Sequence, residues 1–414
     1  MTDVQQSLAA LRRRLSPGPI GGYYLYMTAG TVGMWAPIWV VYLRSGGLSY
    51  GQIMTLDAIW WIGIVAGELP TGFVGDRIGW RNSLVVGHAL TIVGVLTMGL
   101  TTAFLPLAGI YLLWALGATL KSGSRDAWLY ELLDRRLDSD QFVRVQGRGR
   151  ALQLSASAVG AIVGGAIAAY GLAYPFFATA AVRSIGLVAL LALPTIAVDA
   201  DDRLTVGEMR SVLGQLAAPS LRWIVAGAAL TLGLLGAMSR LTQPISLRWL
   251  AVPHLGLLYA SFTGVAALAS ARADWIRTNV GLWGWLAIGV AGMATLSIAS
   301  LALPLVAMPA LFALRGVRGA LDPLLKQHVN DCIGTTGRAT TLSGVSMAVS
   351  AAGAPLAIGL GQVTDLVGPF DALAVAGGGF ALLTFGVWIG GPSMSGRSRP
   401  IADRSTPTDG SRPK

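Results

Sequence analysis

The sequence predicts an all-α integral membrane protein with twelve transmembrane helices, arranged as two six-helix halves related by a pseudo-two-fold axis. Composition, apolar windows and an internal repeat carry that prediction. Of 414 residues, 54% are hydrophobic and only 12% charged, with 54 glycines, and the mean hydropathy is +0.62. A soluble domain has about 25% charged residues and about 7% glycine, so this chain lacks the polar surface that water demands. A soluble enzyme is excluded. So is a nucleic-acid-binding module, despite a pI near 10.2. A β-barrel would alternate every second residue, and the apolar runs are too long and continuous for that.

The apolar windows fall at 20–43, 51–71, 83–102, 106–130, 151–170, 175–197, 223–247, 255–271, 280–300, 303–325, 339–361 and 371–391. Each is near the ~20 residues that cross a ~30 Å hydrocarbon core. Residues 1–19 form a segment with Val4, Leu8, Leu11 and Leu15 at helical spacing opposite Arg12, Arg13 and Arg14, which predicts a short interfacial helix on the cytoplasmic surface. The N-terminal half covers 20–198, a cytoplasmic linker 199–222, and the C-terminal half 223–391. The tail 392–414, rich in Ser, Pro and Arg, is expected to be disordered.

Basic residues orient the bundle. Of 30 Lys and Arg, 22 lie in the N-terminus, the even-numbered loops and the C-terminus; Arg44 and Arg248 lie on the other side, and six lie inside spans. The positive-inside rule then places both termini in the cytoplasm, in a cytoplasmic or inner membrane. The net charge of +10 thus reflects topology and calls for no nucleic-acid partner. Cys332 has no second cysteine to pair with, and three histidines with one cysteine offer no metal-ligand cluster. No metal or other cofactor is expected.

The two halves repeat one another. Gly149-Arg150-Ala151 followed by Leu154-Ser155 opens span 5, and Gly337-Arg338-Ala339 followed by Leu342-Ser343 opens span 11. Gly123, Asp126 and Leu129 in span 4 are echoed by Gly319, Asp322 and Leu325 in span 10, and Pro37 with Arg44 by Pro244 with Arg248. A parallel six-plus-six duplication places a binding site between the halves near the midplane, exposed to each side in turn as the halves rock.

The loop expected between spans 2 and 3 reads Gly72-Phe73-Val74-Gly75-Asp76-Arg77-Ile78-Gly79-Trp80-Arg81. It resembles the G-x-x-x-D-R-x-G-x-[RK] signature of the major facilitator superfamily, at the position where that family carries it. Glu68-Leu69-Pro70-Thr71-Gly72 and Asp126-Ala127-Trp128-Leu129-Tyr130 look like its drug-exporter-like branch. The second-half counterpart, Ala271-Arg272-Ala273-Asp274-Trp275, keeps the Asp and little else, and Gly160-x-x-x-Gly164-Gly165 lacks the proline of the family's antiport pattern. The resemblance implies alternating-access transport, with Gly72, Asp76, Arg77, Gly79 and Arg81 as an inner-gate motif and a relay among Asp76, Arg77 and Asp126.

Ionisable groups inside spans are costly unless paired or facing a wet cavity, which makes Asp126, Glu68 and Asp57 the proton-coupling candidates. Arg125 adjoins Asp126 in sequence but points about 100° away around the helix, so spacing alone does not pair them. Asp57 and Glu68 are three turns apart and share a face; Glu68 precedes Pro70, where a structural role is expected. Lys121, Arg240 and Arg315, with Arg318 and Arg183, are embedded cations. Since the resemblance lines the cavity with spans 1, 4, 7 and 10, Lys121, Arg240, Arg315 and the aromatic Trp35 are the substrate-cavity candidates. Asp322 shares a face with Arg315 and Arg318 and is expected to neutralise one of them. His88 is expected to pack rather than relay protons.

The leading functional expectation is secondary active, proton-coupled export of a small amphipathic organic molecule. Its partners are then the small-molecule substrate, protons as the coupling ion, and the lipid bilayer, with a monomer as the expected state. Uptake or exchange of an organic anion is the alternative, and a non-transporting sensor or scaffold a third. No G-x-x-x-x-G-K-[ST] loop is present and no hydrolytic constellation, so no enzymatic activity is expected.

Overall fold

The computed structural model describes residues 18–136, 141–196, 222–332 and 338–390. The expected interfacial helix, most of the linker, the tail beyond 391 and Gly337 of the repeat lie outside the described residues. The N-terminal half consists of α1 (Pro19–Ala29), α2 (Trp39–Ser45), α3 (Tyr50–Ile78), α4 (Trp80–Met98), α5 (Phe104–Arg136), α6 (Phe142–Ala168) and α7 (Tyr174–Ala192). The C-terminal half consists of α8 (Arg222–Met238), α9 (Thr242–Ser246), α10 (Leu255–Ala271), α11 (Ala273–Asn279), α12 (Gly281–Ala302), α13 (Ala307–Cys332), α14 (Arg338–Val367) and α15 (Pro369–Gly390).

Among the described residues, nine helical stretches are long and apolar enough to cross a membrane. Three further crossings complete the twelve. The first is split between α1 and α2. The second, α3, is 29 residues long but carries Asp57, Glu68, Asp76 and Arg77. The last is α15, whose described apolar part runs Pro369–Leu382. Leu100, Leu105, Val188, Leu268, Leu303 and Leu382 are exposed on the outside of the bundle, a surface that suits lipid and not water. The chain is a multi-pass membrane protein.

Span 1 departs from the continuous helix expected over 20–43. Gly30, Gly33 and Pro37 interrupt it: proline has no N–H to donate and its ring clashes with the preceding turn. In a bilayer each freed backbone group needs a partner from the protein. Thr179 Oγ1 accepts from Met34 N at 3.0 Å, and Arg183 Nε donates to Val32 O at 2.7 Å. Gln243, from the opposite half, takes Val40 N at 2.8 Å and Val41 N at 3.2 Å on its Oε1. Its Nε2 donates to Ala36 O at 3.0 Å.

Other helices outrun their apolar windows. α5 continues to Arg136 and α6 begins at Phe142, so most of the loop expected over 131–150 is helix. Hydropathy marks where the hydrocarbon ends, whereas a helix can continue into the headgroup zone, where water satisfies polar side chains. The signature loop contracts for the same reason: α3 runs to Ile78, α4 starts at Trp80, and the turn is Gly79 alone, at φ 84°. That left-handed conformation favours glycine.

The halves meet along two helix pairs, α3 with α14 and α6 with α10. Small residues make both approaches close. A Cβ on Gly256 of α10 would sit 2.2 Å from Ala161 O of α6, and one on Gly165 would sit 2.5 Å from Pro253 O. On the other seam, a Cβ on Gly353 would run into the Trp61 ring, and one on Gly361 would sit 2.9 Å from Tyr50 O. These contacts all lie toward the end that carries Arg44 and Arg248. Replacing Gly256 with Val should therefore wedge the α6–α10 seam and lower stability by about 1–3 kcal/mol, read as an earlier midpoint in thermal unfolding of purified protein; an unchanged midpoint would show that the seam is not tight.

Candidate functional site: a cavity between the halves

Toward the opposite end, where Arg77, Arg81, Arg272 and Lys326 lie, the same four helices are joined by α1, α5, α8 and α13. They enclose a cavity of about 1320 Å³. The wall from the first half includes Tyr23, Trp60, Trp61, Arg125, Asp126 and Arg150. The facing wall includes Arg240, Tyr259, Phe262, Arg315, Arg318 and Asp322, with Lys326 at its rim. Such a volume exceeds the 300–1,000 Å³ of an ordinary ligand pocket and suits the vestibule of a bound small molecule.

The closed end is held by ionic and capping interactions between the halves. Asp57 of α3 receives two hydrogen bonds from Arg240, Nε to Oδ2 and Nη2 to Oδ1, both at 2.9 Å. This bidentate geometry is the strongest form of the carboxylate–guanidinium pair. Asp365 of α14 accepts from Tyr50 N at 2.8 Å and Gly51 N at 2.7 Å, placing a carboxylate on the positive N-terminal end of α3. Gln243 adds a hydrogen bond to Tyr259 Oη at 3.1 Å beyond its bonds to span 1. Asp57, Arg240, Gln243 and Asp365 thus form one latch. Asp57 and Arg240 stood out in the sequence singly; their pairing did not, because 183 residues separate them and no periodicity links the halves. Gln243 and Asp365 gave no signal at all, being single polar residues near span ends.

The other candidates are dispersed. Asp126 lines the cavity and pairs with its neighbour Arg125, Nε to Oδ1 at 3.1 Å. The two side chains bend toward each other across the 100° that separates them on the helix. Arg315 and Arg318 line the cavity together with Asp322, whose ion pair at 2.8 Å is with Lys326 and with neither arginine. Lys121 and Trp35 are not on the cavity wall. Lys121 Nζ is held between α5 and α4, donating to Thr91 Oγ1 at 2.6 Å. Trp35 packs inside the first half, edge-on to Trp114 at 5.0 Å and stacked on Phe176 at 6.2 Å. Helix membership brought both candidates forward, and the direction of each side chain within its helix takes them elsewhere.

Glu68 is also off the wall, with Ser122 Oγ donating to its Oε1 at 3.1 Å between α3 and α5. His88 is buried, its Nε2 2.9 Å from Arg183 O and its ring edge-on to Tyr26. In the signature segment, Arg77 is exposed and Arg81 Nη2 donates to Leu191 O, tying α4 to α7. The side chains of Gly72 and Asp76 lie outside the described residues. In the second half Asp274 pairs locally with Arg277 at 2.9 Å.

No family model matches the chain. It is 29% identical over 152 residues to an uncharacterized MFS-type transporter, YxaM, of Bacillus subtilis (strain 168). That match covers 35% of this chain and 35% of the relative, so it spans about a third of the relative's length. Solved structures match far more of the chain. The nucleoside transporter NupG superposes with a TM-score of 0.69 at 14% identity, over 89% of this chain and 96% of that one. A D-xylose-proton symporter gives 0.66 at 16% identity, over 91% and 97%. A POT family transporter in complex with a thioalcohol-conjugated peptide gives 0.63 at 12%, over 90% and 95%. The chain has the twelve-helix fold of these transporters.

Breaking half of the latch leaves a charge without its counter-ion. Arg240→Met should cost about 3 kcal/mol, the lower end expected for a broken buried pair because Arg240 also faces the cavity. Adding Asp57→Leu should recover most of that loss. A double-mutant cycle on unfolding midpoints measures the coupling, and additive losses would deny the pair its role.

Proposed function

We propose that the protein is a secondary active transporter that moves a small amphipathic organic molecule by alternating access, as an exporter driven by proton entry. One observation carries the transport reading: a large cavity between two similar halves, latched at one end and open at the other. A binding protein or scaffold has no need of a midplane cavity with that asymmetry, whereas a carrier must close one end to open the other.

The positive-inside rule supports the assignment of the open end to the cytoplasm, since the 22 basic loop and terminal residues belong to that side. The chain then sits in the cytoplasmic membrane, with both termini inside and the two halves at 20–198 and 223–391. The cavity is open where an export cargo would load. Likeness of the signature segment to the drug-exporter-like branch supports the same direction, with Gly72, Asp76, Arg77, Gly79 and Arg81 as the inner gate. Asp126 is the foremost proton carrier, because it alone of Asp126, Glu68 and Asp57 lines the open cavity. Asp57 serves the latch, and Glu68 a hydrogen bond between helices. A second reading, uptake coupled to protons in the same direction, is favoured by the fold's likeness to a D-xylose-proton symporter.

Purified protein in proteoliposomes with an internal pH-sensitive dye separates these readings. Under an imposed proton gradient, compound-dependent proton movement opposite to the compound is expected; movement with it selects uptake. Asp126→Asn should abolish proton-driven accumulation while leaving counterflow of the same compound within about twofold of wild type. Unchanged accumulation would remove Asp126 from the coupling. Saturable binding with neither accumulation nor counterflow would overturn transport and leave a sensor.

A further inference from the structure

The charges around the cavity do not balance, and the imbalance is local. Among the described residues, three carboxylates lie on or beside its wall, and each is already engaged: Asp57 by Arg240, Asp126 by Arg125, and Asp322 by Lys326. Arg315 and Arg318 lie one turn apart on α13, both on the wall. Among the described residues neither has a carboxylate within ion-pair distance. The Nε of Arg315 is buried and makes no hydrogen bond. A guanidinium in a membrane interior is retained only with a counter-ion or a wet cavity, and here two are presented to one space.

Their surroundings are aromatic. The Arg315 guanidinium carbon lies 5.7 Å from the Tyr259 ring centroid and 5.3 Å from that of Phe262, and Phe312 packs edge-on against Phe262 at 4.6 Å. Trp60, on the opposite wall, has a buried indole N–H without a partner. Guanidinium planes match carboxylate and sulfonate oxygens bidentately. Flat rings offer stacking area to an apolar body.

We propose that Arg315 and Arg318 form the anion seat of the transport cavity, and that the cargo is an aromatic or similarly flat organic acid. Its carboxylate or sulfonate is held by the two guanidinium groups, and its ring lies against Tyr259, Phe262 and Trp60. The proposal rests on the transport reading for its cargo, though the seat itself is testable by binding alone. Arg240 is not part of the seat, because Asp57 balances its charge and takes its Nε and Nη2 in a bidentate pair.

Protein reconstituted in phosphatidylcholine vesicles is titrated with benzoate, indole-3-acetate and naphthalene-2-sulfonate, each beside its neutral amide, with tryptophan fluorescence as the readout. At least one acid should bind saturably and tenfold or more tightly than its amide. Arg315→Gln with Arg318→Gln should abolish that preference, bringing the acid's affinity to that of its amide in the same variant. Arg315→Lys, which keeps charge but loses the fork, should retain part of it, and a monodisperse elution profile controls for folding. Equal binding of acid and amide, or no saturable binding by any acid, overturns the proposal. Displacement of the acids by phosphatidylglycerol at the same seat, without counterflow of any acid, assigns the arginines to a lipid headgroup and overturns it too. An acid that binds but is not exchanged in counterflow leaves the seat standing and sinks transport. Counterflow of a neutral or cationic compound with no acid bound does the reverse.

Discussion

The ion pair between Asp57 and Arg240 is the constraint on which the arrangement of the halves depends. It joins a carboxylate on α3 to a guanidinium just beyond α8, across the seam between halves, at two distances of 2.9 Å. Two charges inside a bilayer protein cost several kcal/mol each to desolvate. Neither can be left alone, so the pair fixes the separation of the halves at that end. Small residues then allow the approach that the pair requires. Gly256, Gly353 and Gly361 remove the side chains that would hold α6 from α10 and α3 from α14. The apolar seam and the ionic latch are thus two parts of one closure.

The broken first span belongs to the same closure. A continuous helix satisfies its own backbone and needs nothing from its neighbours, whereas the interruption over residues 30–38 releases polar groups that must be met within the protein. Arg183 and Thr179 meet some of them from the same half, and Gln243 meets Ala36 O, with Val40 N beyond it, from the other half. A structural defect in one half has become a docking point for the other. Those bonds are also ones that water can replace, since opening that end would wet Ala36, Val40 and Val41 as Gln243 withdraws.

Much of the fold was legible in the sequence because bilayer physics acts on composition and window length. Twelve crossings, the duplication and the uneven placement of Lys and Arg depend on nothing tertiary. Helix ends were less legible. Glu131, Arg135 and Arg136 end the apolar window of α5, yet the helix continues through them. The site was legible only by residue. Asp57, Asp126, Arg240 and Arg315 announce themselves as charges in apolar runs, but their pairing is decided by rotation about helix axes and by contacts 183 residues apart. Lys121 illustrates the difference. It is one turn from Arg125 and equally improbable in a span, and its side chain nevertheless ends on Thr91 between two helices. Gln243 and Asp365 are the opposite case, since polar residues near span ends are ordinary until the structure shows what they touch.

Closing the open end must bring two cation-bearing walls together. One carries Arg125 and Arg150, the other Arg315, Arg318 and Lys326, and Asp126 and Asp322 are each adjacent to a cation of their own wall. Like charges approaching across a narrowing, drying gap repel more strongly as the effective dielectric falls. On the proposed transport reading, the empty protein is therefore held open at this end by electrostatics and closed at the other by the latch, and the two biases reinforce one another. Anything that adds negative charge between the walls reduces the repulsion, and anything that weakens the hold of Asp57 on Arg240 releases the far end. A proton on Asp126 acts in the opposite sense to an anion in the cavity, because it leaves Arg125 without its partner. On the proposed transport reading, cargo and proton change the net charge between the same two walls in opposite senses, which is the physical condition for coupling one to the other through their differential affinity for two states.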